Sequence, residues 1–199
     1  MNWKKLFRRE KNLTEVSNEK PESHSEFTLL LDELESIGFF KYLDLDKINE
    51  VKEETIKSEY LYGDTGRDFL ADEEDLSEGG VGTFLFEISP FLEKQGIQLI
   101  INNEDFNGEK YEIKVNGEKY VLYTQDEVEN EEYVEINTQR AFSIINKLLE
   151  GARSEERLFA LYGWNDLVAI FLTNEMYERI IKYEQDENER PRRYLDDAS

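Results

Sequence analysis

Cysteine is absent from the 199 residues of this chain, and histidine occurs once, at His24. Without cysteine there can be no disulfide, no thiolate nucleophile and no cysteine-ligated zinc site. His24 lies in a polar segment, where a general base would lack the fixed geometry that catalysis requires. We therefore expect no enzymatic activity, no cofactor and no metal. Catalysis by a pair of carboxylates stays open as an alternative, because a chain this rich in acidic residues forms such pairs in any fold.

Long apolar runs are also missing. The first eleven residues, from Met1 to Lys11, are basic, but they are not followed by the apolar stretch of about 7 to 15 residues that a secretory signal needs. No run reaches the roughly 18 residues that span a bilayer. We therefore expect a cytoplasmic protein. Two alternatives stay open for the basic residues themselves, namely weak contact with an anionic membrane surface or a disordered leader.

Basic residues are scarce relative to acidic ones, with 24 Lys and Arg against 46 Asp and Glu, and the formal net charge is −22. This charge disfavours contact with nucleic acid and speeds encounter with cationic surfaces through long-range attraction. We therefore expect a basic protein as the partner, and no nucleic acid. The sequence carries no signal for the oligomeric state.

Three regions follow from composition. Residues 1–25 are basic and then polar and predict a flexible leader, whereas residues 26–184 contain the periodic apolar pattern of a single folded domain. Residues 185–199 form a charged C-terminal tail. Within the domain we predict an α+β fold, in which helices pack on one mainly antiparallel sheet of about five strands.

The element predictions come from periodicity, capping residues and turns. Apolar spacing and caps predict helices that begin near residue 26, at Asp44 or Asp46, at Thr83, near Asn137 and at Thr173 or Asn174. Asn-Gly turns predict a three-stranded meander over residues 97–101, 110–115 and 119–124. Two nearly continuous apolar runs, residues 158–162 and 167–172, predict strands that are buried on both faces.

Three short motifs resemble known catalytic or binding motifs, but the residues around each of them argue against that function. Residues 64–66 spell the Asp-Thr-Gly of aspartic proteases, but no second such triplet is present. Residues 103–108 match the first half of a calcium loop, but Lys114 stands where a bidentate Glu is needed, so only weak calcium binding at an acidic loop stays open. Residues 78–83 are glycine-rich ahead of a helix, but they lack the lysine of a phosphate-binding loop.

The acidic residues gather in two clusters on predicted loops, and neither cluster contains Lys or Arg. The first cluster consists of Asp72, Glu73, Glu74, Asp75 and Glu78, and the second includes Asp126, Glu127, Glu129, Glu131 and Glu132. We predict that both clusters bind the partner by attracting it, while an aromatic residue supplies affinity. Trp164, with Asp166 nearby, is the predicted anchor. The alternative is that the clusters form an ordinary solvated surface.

These features favour a non-enzymatic binding protein that neutralises a basic partner. Among such proteins we expect a bacterial immunity or antitoxin protein that inhibits a cationic toxin such as a nuclease. A structural or regulatory interaction domain, tethered by its basic N-terminus, stays open as the alternative.

Overall fold

A computed structural model of the protein describes residues 21–107, 109–162 and 166–194, with residues 21–25 described by their backbone alone. The chain divides after Asp68 into two compact units. Helix and sheet are both present, as the sequence predicts, but the strands form two separate sheets of three. The prediction of one sheet of about five strands is therefore wrong. That the two units fold together as one domain over residues 26–184 stays a prediction.

From residue 21 onward, where the structure describes it, the first unit contains two helices, α1 (Pro21–Ser36) and α2 (Ile48–Ser58). α1 begins inside the leader predicted for residues 1–25, and it buries apolar side chains at helical spacing: Phe27, Leu30, Leu31 and Leu34. Gly38 lies just beyond its end, as the sequence predicts for a residue that stops a helix; its φ of 87° favours glycine, and the N–H of Phe39 donates to the carbonyl of Leu34 (2.9 Å).

α2 begins at Ile48, later than the predicted caps at Asp44 or Asp46. Asp44 does not cap the helix because its carboxylate pairs instead with Lys47 (2.8 Å), and Lys47 occupies the cap position without a side-chain hydrogen bond. The predicted start was therefore wrong by a few residues.

Arg67, near the end of the first unit, is fully buried beside the last turn of α1. Its Nε donates to the carbonyl oxygen of Phe39 (2.6 Å) and its Nη2 to that of Gly38 (3.0 Å). The guanidinium also lies 4.7 Å from the ring centroid of Tyr42. The helix dipole favours a cation at the carbonyl end of a helix, so Arg67 stabilises the end of α1.

Asp68, the next residue, is buried as well, but it is only partly hydrogen-bonded. Its Oδ1 accepts a hydrogen bond from the hydroxyl of Thr65, whereas its Oδ2 has no hydrogen-bond partner among the residues that the structure describes. Burial raises the pKa of Asp68, and the hydrogen bond from Thr65 opposes this shift. Asp64 of the Asp-Thr-Gly triplet is exposed in a turn with positive φ, which is not the strand end that an aspartic protease needs.

The first sheet has the strand order β1, β6, β5. β1 (Asp68–Leu70) begins at the last residue of the first unit, and β5 (Glu156–Leu161) and β6 (Val168–Thr173) pair antiparallel in the second. Every residue of β6 from Val168 to Leu172 is buried. The predicted pair of strands buried on both faces is therefore confirmed, with slightly different ends.

β5 lies at an edge of this sheet, and its outer backbone groups are nevertheless hydrogen-bonded. The side-chain amide of Asn146 accepts from the N–H of Leu158 (2.7 Å) and donates to its carbonyl (3.1 Å). Two residues on, Ala160 and Arg192 exchange both backbone hydrogen bonds (2.6 and 2.8 Å). An exposed strand edge is a template for pairing with other chains, and these contacts cover it.

The second sheet is an antiparallel meander of β2 (Ile101–Phe106), β3 (Tyr111–Val115) and β4 (Glu118–Tyr123). The turn from β3 to β4 has positive φ at Asn116 and Gly117, so this predicted Asn-Gly hairpin is confirmed. The first strand of the meander was predicted over residues 97–101, but β2 begins at Ile101. The prediction failed because β2 is polar and almost wholly exposed, and because a bulge after Asn102 interrupts it. The supposed calcium ligands Asn103 and Asp105 therefore lie in a strand.

The described residues of the second unit also contain five α-helices. They are the short turn α3 (Glu73–Asp75), α4 (Val81–Lys94), α5 (Gln125–Glu129), α6 (Tyr133–Gly151) and α7 (Asn174–Tyr183). A bent turn, Leu76–Gly80, joins α3 to α4, and its bend falls at Glu78 and Gly79. α7 has the predicted cap at Thr173, whereas α6 begins at Tyr133 and not near Asn137.

α4 continues through Pro90, which lacks the N–H that a helix interior needs. The carbonyl of Phe86, four residues earlier, instead accepts a hydrogen bond from the hydroxyl of Ser89 (2.7 Å). Because Phe86 is also exposed, water has access to this part of the helix. The local substitution of a hydroxyl for an N–H explains why the proline does not end the helix.

Candidate functional site

The first acidic cluster lies on α3 and the bent turn, and not on the loop that the sequence predicted. Asp72 caps α3, since its carboxylate accepts from the N–H groups of Glu74 (2.9 Å) and Asp75 (3.1 Å). Glu73 is buried and accepts a hydrogen bond from the hydroxyl of Tyr194 (3.1 Å). Two of the five carboxylates therefore stabilise the fold, and those of Glu74, Asp75 and Glu78 remain exposed.

The second cluster begins on α5, so its placement on a loop was also wrong for Asp126, Glu127 and Glu129. Glu127 closes a capping box with Thr124 and forms a two-pronged ion pair with Arg140 (2.8 and 3.0 Å). Although burial opposes the shift, the hydrogen bonds from Arg140 and Thr124 lower the pKa of Glu127.

The other members of the second cluster differ in how they are held. Glu129 accepts a hydrogen bond from the side chain of Gln125 (3.1 Å). Asp126, Glu131 and Glu132 are exposed, as is Glu135 in the first turn of α6. The acids that remain accessible to a partner thus flank the start of α6.

Tyr123, the last residue of β4, joins the two clusters. Its hydroxyl donates to the carbonyl of Ser77 in the bent turn (3.0 Å), and its ring lies edge-on to that of Tyr133 at the start of α6 (centroids 5.3 Å apart). Burial raises the pKa of Tyr123, and the nearby Tyr133 and Glu78 add to the shift. Glu78 of the first cluster is therefore close to the residues that begin α6.

Tyr194 forms a second link between the clusters. Its hydroxyl donates to Glu73, and its ring lies edge-on to Phe142 of α6 (5.2 Å). Burial, together with the charges of Glu73 and Glu135, raises the pKa of Tyr194. A carboxylate of α3 and one of α6 thus act on the same phenol, although Glu73 and Glu135 are far apart in the sequence.

We call the resulting surface the acidic face. It consists of the exposed carboxylates Glu74, Asp75, Glu78, Asp126, Glu131, Glu132 and Glu135. Among the residues that the structure describes, none of these carboxylates forms an ion pair. The face therefore carries uncompensated negative charge.

A row of aromatic rings runs beside this face. Phe106, Tyr111, Tyr123 and Tyr133 meet edge to face in that order, with successive centroids 5.6, 5.8 and 5.3 Å apart. The two inner rings are buried, Phe106 is exposed and Tyr133 is half-buried. The end residues Phe106 and Tyr133 were not predicted from the sequence, because only the pairing of β2 with β3 and the start of α6 bring them into this row.

The predicted anchor Trp164 lies outside the described residues. Asp166 is exposed in the loop before β6, and in the part of the chain that is described it has no contact with the acidic face.

At the glycine-rich start of α4, backbone N–H groups are already hydrogen-bonded to side chains of the protein itself. The carboxylate of Glu104 accepts from the N–H of Gly82 (2.9 Å), and the hydroxyl of Tyr111 accepts from the N–H of Val81 (3.0 Å) and donates to Glu104. Burial and Glu104 raise the pKa of Tyr111. A carboxylate thus occupies the position where a phosphate would bind a helix N-terminus.

The described residues contain neither a grouped set of metal ligands nor a helix that could span a membrane. No three acidic or histidine side chains among them are grouped so that they could hold a metal ion. Every helix within the described ranges is too short or too polar to cross a bilayer. No protein-family model, curated protein or solved structure matches the chain. The acidic face is therefore the feature from which a function is inferred below.

Proposed function

We propose that the protein is a non-enzymatic binding protein whose acidic face receives a basic protein. We further propose that it neutralises this partner, as a bacterial immunity or antitoxin protein neutralises a cationic toxin such as a nuclease. The observation that carries the proposal is the meeting of two acidic clusters, about fifty residues apart in sequence, around the start of α6. Their exposed carboxylates have no basic partner of their own within the described chain.

The charge of the face favours fast association. A surface of one sign raises the local concentration of an oppositely charged partner and speeds its association by about 10- to 1,000-fold, an effect that falls steeply with salt. A nuclease presents such a partner surface, because its active site is built to attract phosphates. Carboxylates that occupy that site would exclude the nucleic acid, which the face itself repels.

Affinity needs more than exposed charge, since charged groups at the rim of an interface contribute little once they are solvated. Phe106 and Tyr133 provide apolar surface beside the carboxylates, and the buried rings of Tyr111 and Tyr123 hold both in place. Rigid aromatic side chains are frequent anchors of protein interfaces because they bury large areas at low entropic cost. In this proposal the protein acts in the bacterial cytoplasm, with carboxylates guiding a partner onto these two rings.

The test measures association with cationic nuclease toxins, beginning with any toxin encoded beside this gene. Stopped-flow rates are compared for the full chain and for a variant with Glu74→Gln, Asp75→Asn and Glu78→Gln. We expect the variant to associate about tenfold more slowly at low salt and to inhibit the nuclease less. The difference should shrink at about 1 M salt, where the Debye length falls to about 3 Å.

A matched control removes three other exposed acids of the same unit, Glu87, Glu93 and Glu150. Glu150 lies roughly 25 Å along α6 from Tyr133, at 1.5 Å per residue, so it is remote from the acidic face. The control should associate at nearly the wild-type rate. Equal slowing of both variants, or association that does not depend on salt, would contradict a role for this face.

A further inference from the structure

The second unit contains a small pocket lined by two arginines. Arg157 of β5 and Arg193 of the C-terminal segment contribute to its wall, together with Asn174 at the start of α7, and its volume is about 220 Å³. In the described chain neither guanidinium forms an ion pair with a carboxylate. This is unexpected in a protein with 46 acidic residues.

Both guanidiniums are held in place by neutral groups. Nη1 of Arg157 donates to the carbonyls of Ser154 and Glu156, at 2.7 Å in each case. Nη2 of Arg193 donates to the side-chain oxygen of Asn174 (2.6 Å). Each arginine thus uses a single nitrogen for hydrogen bonds to the protein, and its Nε and remaining Nη have no acceptor within the described residues.

Two aromatic rings lie beside the guanidinium of Arg193. Its guanidinium carbon lies 5.2 Å from the ring centroid of Phe159 and 4.9 Å from that of Tyr177, and these two rings are themselves stacked. A guanidinium is planar, and its N–H groups form a fork that matches the geometry of carboxylates and phosphates.

The N-terminus of α7 adds positive potential to the same pocket. Thr173 caps this ten-residue helix by accepting from the N–H of Met176 (3.2 Å), and Asn174 is its first residue. The helix dipole favours an anion at this end. Glu175, the acid that follows Asn174 in the sequence, pairs with Arg179 (2.8 Å) and not with the pocket arginines.

We propose that this pocket binds a small oxyanion, a carboxylate or a phosphate group, between Arg157 and Arg193. Its volume is below the roughly 300 to 1,000 Å³ of sites for larger organic ligands, so it suits a single anionic group. The overall negative charge does not prevent such binding, because at physiological ionic strength charges farther away than about 8 Å are largely screened. Tyr194, which is hydrogen-bonded to Glu73, also lines the pocket, but none of the carboxylates of the acidic face is among its described lining residues, and the proposal does not depend on the basic partner.

The test is an NMR titration of the ¹⁵N-labelled full chain with sodium phosphate and, separately, with sodium acetate. Sodium chloride keeps the ionic strength constant. We expect saturable shifts centred on the amides of Arg157, Asn174 and Arg193. Saturation by phosphate alone assigns the phosphate class and saturation by acetate alone the carboxylate class. If neither titration saturates, the proposal is wrong.

Variants separate this site from general charge effects. Arg157→Gln and Arg193→Gln should each weaken binding about tenfold or more, whereas Arg153→Gln removes an exposed arginine outside the pocket and should leave binding unchanged. Arg193→Lys keeps the charge and loses the planar fork, so it should bind more weakly than wild type. The same spectra show whether each variant is folded. Equal weakening by Arg153→Gln would overturn the proposal.

Discussion

Buried ionisable side chains in the first unit show how much a single residue depends on its hydrogen bonds. Arg67 is fully buried and donates to two carbonyls at the end of α1, so its charge is well solvated by the protein. Asp68 is buried beside it in the sequence, but one of its two oxygens accepts no hydrogen bond. A buried polar atom left in this state costs about 1 to 3 kcal/mol.

We predict that Asp68→Asn stabilises the protein at neutral pH. Because burial raises the folded-state pKa of Asp68 above its unfolded value, its contribution to stability is complete below about pH 4 and is lost as the pH rises through the raised pKa. Asn keeps an oxygen for the hydroxyl of Thr65 and carries no charge. Urea unfolding at pH 7 should show a gain of about 1 to 2 kcal/mol that shrinks toward pH 4.

The matched control for this measurement is Asp46→Asn, which removes the same charge from an exposed position. It should show no comparable gain at pH 7. A lower unfolding free energy for Asp68→Asn than for wild type at pH 7 would mean that the ionised carboxylate is stabilised by a group not considered above.

Among the secondary-structure elements, the edge of β5 is the one whose protection depends most on side-chain chemistry. Asn146 supplies both a donor and an acceptor to Leu158, and the backbone of Arg192 does the same for Ala160. The backbone N–H of Glu156 donates a hydrogen bond to the hydroxyl of Ser154 (3.1 Å). The outward N–H groups at these three positions of the strand are thus all hydrogen-bonded.

We predict that Asn146→Ala destabilises the protein by about 1 to 3 kcal/mol, because it leaves the N–H and carbonyl of Leu158 without partners at a partly buried position. It should also increase aggregation during refolding, since part of the strand edge becomes available to other chains. Urea unfolding and light scattering measure the two effects. Asn130→Ala, at an exposed helix end, is the control and should change neither by much.

Elements with a strong local pattern could be predicted from the sequence. β5 and β6 are continuous apolar runs, α7 has its cap at Thr173, and Asn116 with Gly117 forces a hairpin. β2 could not be predicted, because it is mostly polar and exposed and is held by pairing with β3 and by the contacts of Glu104 with Gly82 and of Phe106 with Tyr111. The apolar spacing after Thr83 predicts a helix as far as Gln95 but leaves open whether Pro90 ends or kinks it. In the structure the helix continues, and the hydroxyl of Ser89 bonds the carbonyl of Phe86.

Only part of the candidate site could be predicted from the sequence, for a related reason. Composition identified the acidic clusters, but not which carboxylates remain free. Glu127 is bound by Arg140 and Glu73 by Tyr194, and in both cases the partner lies elsewhere in the sequence. The joining of the clusters through Tyr123 and Ser77 is likewise a long-range contact. No local pattern encodes it.

Over the whole molecule, the net charge of −22 acts against compactness through self-repulsion. The ion pairs of the described residues are mostly exposed, and exposed pairs contribute about 0 to 1 kcal/mol each. The repulsion is therefore not balanced by salt bridges, and the fold depends on its apolar core and hydrogen bonds for stability.

We therefore predict that salt stabilises this protein. Raising sodium chloride from about 10 to 150 mM shortens the Debye length from about 30 to 8 Å and weakens repulsion between distant carboxylates. Calorimetry should show Tm rising by about 2 to 4 °C, which corresponds to about 1 kcal/mol at this size. The variant lacking the carboxylates of Glu87, Glu93 and Glu150 should show a smaller rise. A Tm that falls with salt would instead mean that ion pairs dominate.

The two covers of the β5 edge are made at different times during synthesis. Asn146 precedes β5 in the chain, so the position at Leu158 can be covered as soon as the strand forms. Arg192 is translated about 30 residues after Ala160, which takes roughly 2 to 6 seconds at 5 to 20 residues per second. During that interval half of the edge is open on the nascent chain, and a ribosome that stalls between the two positions holds a strand still able to pair with a neighbouring polypeptide.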